Sequence, residues 1–110
     1  MDVVQDTRQI LNTNGRGAPH RDALRATIKV GIIGFTPPTI MSWDKRWLDG
    51  KVYTTGVKEA AEKYIPEMRA KGADLVVAIS HGGLDNSAYS PTMENGSWWL
   101  STVPGIDAML

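Results

Sequence analysis

A chain of 110 residues holds one domain or part of one, and a unit of that size buries about two-thirds of its unfolded surface, enough for a modest core. Twelve Lys and Arg balance twelve Asp and Glu, which leaves no electrostatic footprint for a nucleic-acid polymer or an anionic membrane. The lack of cysteine excludes a disulfide framework, a thiolate metal site and a thiol nucleophile, and no apolar stretch approaches the ~20 residues of a membrane span.

Residues 1–27 are polar, and Asn14-Gly15 and Gly17-Ala18-Pro19 are their strongest turn signals, so they read as a loose hairpin or extended segment. His20 lies in its loop and reads as a solvated histidine. Thr27 to Phe35, T-I-K-V-G-I-I-G-F, is a strand that Pro37-Pro38 ends. Gly31 and Gly34 lie inside this apolar run and not at a strand-to-helix turn. They therefore read as points where another element packs closely against the strand, not as a dinucleotide fingerprint.

Thr39 to Gly50 carries Trp43 and Trp47 at helical i, i+4 spacing, which predicts a short helix with both rings on one face, closed by Gly50. Lys51 to Thr54 reads as a short strand or extended connector. Val57 to Lys71 is the clearest helix. Val57, Ala61, Tyr64, Ile65 and Met68 make one apolar stripe, Thr54 or Thr55 is the expected cap, Glu59 and Lys63 have the favourable i, i+4 order, and Gly72 is the expected stop. Pro66 conflicts with that pattern, since an interior proline removes a backbone bond and predicts a kink.

Ala73 to Leu84, A-D-L-V-V-A-I-S-H-G-G-L, is the stretch around which the chain is organised. Leu75 to Ile79 shows no polar alternation, as in a central parallel strand covered on both faces. His81 then stands at the carboxyl end of that strand, where open α/β sheets bind ligands, and Gly82 and Gly83 allow a sharp turn and a close ligand approach. Three chemistries use such a histidine: metal ligation, an H-G-G oxyanion loop, and general acid–base work. The oxyanion reading needs a G-x-S-x-G elbow that the sequence lacks, and no partner carboxylate stands at a telling spacing for the third. A structural histidine in a non-catalytic α/β interaction or scaffold domain is the alternative. Ser90-Pro91 then predicts a helix start, with Met93, Gly96, Leu100 and Val103 facing inward and Pro104-Gly105 as its end. Ile106 to Leu110 begins a further apolar strand, and a chain that stops inside it reads as a fragment.

Several stretches together carry a family resemblance: I-K-V-G-I-I-G-F-T-P-P at 28–38, S-W-D-K at 42–45, L-D-G-K-V at 48–52 and Y-I-P-E-M-R-A-K-G-A-D at 64–74. L-V-V-A-I-S-H-G-G-L at 75–84, M-E-N at 93–95 and V-P-G-I-D-A at 103–108 continue the series. Residues 28–110 resemble part of the metallophosphoesterase domain of bacterial 2',3'-cyclic-nucleotide 2'-phosphodiesterase/3'-nucleotidases, relatives of the 5'-nucleotidases. The resemblance implies a fragment of a calcineurin-like metallophosphoesterase α/β sandwich, and it takes in Pro66. It also implies a hydrolase that acts on 2',3'-cyclic nucleotides and 3'-nucleotides with two divalent metal ions, in the periplasm, its signal peptide not contained in this chain. His81 matches a metal ligand of the family, and it is the one site residue that transfers; no catalytic acid or base is assigned. The family's other ligands lie in Asp-x-His and Gly-Asn-His-Glu/Asp motifs upstream and a Gly-His-x-His motif downstream, none of which this sequence contains. The partners implied are a nucleotide substrate and the rest of the enzyme's own catalytic and C-terminal domains. The isolated chain is accordingly expected to be inactive.

Overall fold

In a computed structural model, residues 27–110 are described; the expected hairpin lies outside them, save its last residue. The elements run β1 (Val30–Phe35), α1 (Ile40–Trp43), α2 (Lys45–Leu48), α3 (Val57–Ala70), β2 (Leu75–Ser80), α4 (Ser97–Ser101) and β3 (Ala108–Met109). The strands form a parallel sheet in the order β1-β2-β3, with Val30 opposite Leu75, Phe35 opposite Ser80, and Val77 opposite Ala108. Parallel neighbours need a crossover, and α3 supplies it between β1 and β2. The expected α/β unit is therefore present, with β2 in the centre of the three strands.

The core sits on one face of this sheet. Ile33, Phe35, Val76 and Ala78 project from the strands to meet Val57, Ala60, Ala61, Ile65 and Met68 of α3 and Leu100 and Val103 from the α4 region. Tyr64 packs at the margin of this cluster. Gly31 shares that face, and a Cβ there would stand 2.5 Å from the Met68 methyl carbon, so this glycine does permit close packing of the helix. Gly34 is different, for nothing lies within 4 Å of where its Cβ would be. The expectation that β2 is covered on both faces is also corrected. Val76 and Ala78 are fully buried, whereas Leu75 is 42 % and Ile79 49 % exposed. The described helices that build the core all pack on the Val76 side, so the alternation of the strand becomes visible as burial although the sequence is apolar throughout.

α3 runs unbroken through Pro66, which lies on its exposed side. Only the Glu62 carbonyl loses its helical donor there, and the buried stripe on the opposite side keeps the helix in place. Its N-cap is Gly56, in an extended conformation, and not Thr54 or Thr55. The Glu59 carboxylate folds back against Gly56 and accepts the Tyr89 hydroxyl, which closes that end of the helix. At the other end Gly72 (φ 99°) donates to Arg69 O at 2.9 Å and Ala73 to Met68 O at 3.1 Å, the paired bonds of a Schellman stop.

Two sequence expectations fail locally. Trp43 and Trp47 do not lie on one helix, because the backbone leaves helical geometry at Asp44 and makes two single turns; both rings are more than half exposed. Ser90-Pro91 does not start a helix either. The Ser90 hydroxyl accepts the Thr92 amide at 3.3 Å and the Ser90 carbonyl the Met93 amide at 3.0 Å, so the segment closes a turn, and α4 starts at Ser97.

Candidate functional site at the end of the central strand

The two outer strands fix the backbone at the end of β2. Ser80 N donates to Leu110 O at 2.8 Å on one side, and His81 N to Phe35 O at 2.9 Å on the other. His81 is thus the first residue past β2, still tied to the β1 ladder, at the carboxyl ends of three parallel strands. Alternation along β2 assigns it to the side opposite Val76, Ala78 and Ser80, and its imidazole is exposed. It is not a buried core histidine.

The following loop is held by the segment 95–97, which the sequence had placed in a helix without a link to this loop. The Ser97 hydroxyl donates to Gly82 O at 3.1 Å and lies 2.8 Å from the Ser80 hydroxyl. A hydroxyl has one proton to give, so Ser80 is the donor in that second bond. Gly83 is clamped at both polar groups: its amide donates to Asn95 Oδ1 at 2.9 Å, and its carbonyl accepts Ser97 N at 3.2 Å. Leu84 then pairs with Gly96 in an isolated antiparallel bridge. Gly82 and Gly83 have negative φ, so neither makes a left-handed turn. They serve close approach: a Cβ at Gly82 would stand 3.1 Å from Glu94 O, and one at Gly83 2.7 Å from Asn95 Oδ1.

Farther along the loop, Tyr89 and Trp99 pack at 5.8 Å between ring centroids, and the Lys58 ammonium sits over both rings. Trp99 donates through Nε1 to Ser87 O at 2.9 Å. Burial first, and then the Glu59 carboxylate, push the Tyr89 hydroxyl well above its ordinary value. It therefore remains a donor to Glu59 and fastens the loop to the start of α3. The M-E-N tripeptide at 93–95 was visible in the sequence, but no spacing rule links Asn95 or Ser97 to Gly82 and Gly83, which they meet only through the fold.

Among the described residues no three His, Cys, Asp or Glu side chains converge as a metal-binding set. An exposed imidazole on a fixed backbone suits the part of one donor, and a structural or catalytic metal site takes at least three from the protein. The described residues therefore do not make a metal centre by themselves. His20 lies outside them.

No family model matches the chain. Sequence comparison finds a 2',3'-cyclic-nucleotide 2'-phosphodiesterase/3'-nucleotidase of Salmonella typhimurium, 51 % identical over 90 residues, which are 82 % of this chain and 14 % of that protein. The protein of the same name from Haemophilus influenzae is 49 % identical over 108 residues, 98 % of this chain and 15 % of its own length. Among solved structures the calcineurin-like phosphoesterase YfkN of Bacillus subtilis matches with a TM-score of 0.73 and 45 % identity, over 76 % of this chain and 25 % of that one. The chain thus spans about one-seventh of the curated relatives that it matches. By this identity and this fold, the chain is similar over most of its length to one segment of proteins named 2',3'-cyclic-nucleotide 2'-phosphodiesterase/3'-nucleotidase, and it has the α/β fold of the matching part of a calcineurin-like phosphoesterase.

Proposed function

We propose that this chain is a segment of a longer metal-dependent phosphoesterase, hydrolysing 2',3'-cyclic nucleotides and 3'-nucleotides, to which it contributes three parallel strands and His81 as one metal ligand. The observation that carries the reading is the position of His81, exposed at the carboxyl end of the central strand, in a stretch about half identical to enzymes of that name. The remaining metal donors come from segments of the enzyme outside this chain. The periplasm is the compartment that the resemblance implies, and among the described residues no helix is long and apolar enough to cross a membrane.

His81 would be one of the residues that hold divalent ions, of unassigned identity, which when bound would supply charge neutralisation at phosphoryl oxygens and an acidified water. The chain's own part is positional. The ladder bonds of Ser80 and His81 fix the strand end, and the exposed imidazole offers a ring nitrogen as one metal donor. The test is an assay of the full-length enzyme on a 2',3'-cyclic nucleotide and a 3'-nucleotide, before and after chelation. Turnover of both that is lost on chelation and restored by Mn²⁺ or Zn²⁺ is expected. Turnover of neither, or turnover indifferent to chelation, would contradict the proposal.

A further inference from the structure

The loop after His81 contains two consecutive glycines, the residues with the widest backbone freedom. All the same, Gly82 O and both polar backbone groups of Gly83 have protein partners, and those partners are confined to Asn95 and Ser97. Ser97 is 4 % exposed and is the buried polar side chain of the described core. Its hydroxyl joins the last residue of β2, Ser80, to the loop at Gly82, so it spans His81 from both sides in sequence. Asn95 is exposed, and its Oδ1 accepts the Gly83 amide. It buries little apolar surface and so contributes mainly through that one bond.

We infer that Ser97 and Asn95 are positioning residues of the phosphoesterase site: they act through the backbone of His81, Gly82 and Gly83 to hold the imidazole in place. The inference rests on the reading of His81 as a site residue. The ladder bond to Phe35 O fixes the N-terminal side of His81, and the clamp from Ser97 and Asn95 fixes the C-terminal side. Loss of the Ser97 or Asn95 side chain leaves the diglycine loop held only by the bond from Ser97 N to Gly83 O, the Leu84–Gly96 bridge and the other of the two side chains, which loosens the backbone next to His81. A displacement of about 1 Å at a reacting site costs on the order of 100-fold in rate.

The test uses the full-length enzyme with His81→Ala, Ser97→Ala, Asn95→Ala and Asn95→Asp, reading kcat, KM, thermal midpoint and amide exchange at Gly83. Asn95→Asp keeps an oxygen acceptor for the Gly83 amide. Ser97→Ala and Asn95→Ala should lower kcat by about 10- to 100-fold with KM little changed, and Gly83 exchange should quicken about 10-fold or more. Asn95→Asp should restore kcat to within about threefold of the parent, a rescue that general destabilisation would not produce. Parental kcat in Ser97→Ala and Asn95→Ala, with His81→Ala inactive, would overturn the inference and leave the phosphoesterase reading standing. So would an Asn95→Asp enzyme as slow as Asn95→Ala. If Ser97→Ala does not fold, the exposed Asn95 pair decides alone. Full activity in His81→Ala would remove the reading of His81 and this inference with it.

Discussion

Arg69 joins three segments with one guanidinium. Its Nη1 donates to Asp74 O at 2.6 Å and its Nη2 to Gly105 O at 2.8 Å, while Nη2 also meets Asp107 Oδ2 at 2.5 Å. The same carboxylate oxygen accepts Val76 N at 2.8 Å, so the end of α3 is tied to the entry of β2 and to the turn before β3. The Val76 amide, and after it the Arg69 guanidinium, hold the Asp107 carboxyl below its ordinary value of 3.8. A depressed carboxyl contributes stability that is complete above the unfolded value and is lost as pH falls through the folded one, so the loss belongs below about pH 4. Asp107→Asn has nothing to titrate there. Its thermal midpoint should start lower than the parent's at neutral pH and fall less as pH is lowered from about 4 to about 2; parallel curves would show that the pair carries no pH-dependent stability. None of this was legible beforehand. Helical neighbours such as Lys58 and Glu62, 3.8 Å apart, are readable from i, i+4 spacing, whereas Arg69 and Asp107 are 38 positions apart and meet only because the turn at Gly105 lies beneath the end of α3.

The elements that were legible are those whose burial is periodic or continuous over many residues. α3 carries its apolar stripe for four turns, and β1 and β2 are runs of six, so each forms as the sequence directs. Ile65, 1 % exposed and in the middle of the core, tests that account for α3: Ile65→Ala should cost about 2–5 kcal/mol in urea or thermal unfolding. Gly31→Val probes the same interface from the strand side, where the added carbons meet the Met68 methyl and should cost about 1–3 kcal/mol. A neutral result at both positions would mean that α3 does not pack on the sheet as described. Short elements escaped because their local signals compete with tertiary contacts. Trp43 and Trp47 have helical spacing, but a single turn gains too little from propensity to persist through Asp44. Ser90 does use its hydroxyl on a nearby amide, as a cap would, yet the next residues return to pair with the His81 loop before any helix begins.

In the whole molecule, the sheet has a closed face and a face with exposed Leu75 and Ile79, and an imidazole stands at its carboxyl edge without a converging metal set among the described residues. The apolar run of β2 had pointed to cover on both sides; composition alone does not reveal whether the covering residues belong to the same short stretch of chain. The place of His81 at the end of β2 was legible from the apolar run that stops there before two glycines, while the bonds from Asn95 and Ser97 to the loop that follows were not. The purified 110-residue chain should hydrolyse neither a 2',3'-cyclic nucleotide nor a 3'-nucleotide above background with Mn²⁺ or Zn²⁺ added, since one imidazole does not retain and activate a two-metal centre. Enzyme-like, metal-dependent turnover by that chain would contradict its reading as a segment. The most direct measurement is made on the full-length enzyme carrying His81→Ala, with turnover, bound metal and thermal midpoint taken from one preparation. Loss of a ligand predicts turnover reduced by about 100-fold or more and diminished metal content, with the midpoint nearly unchanged because the side chain is exposed and outside the core. Parental turnover and metal content, with or without a lowered midpoint, would show that His81 is not part of the catalytic site.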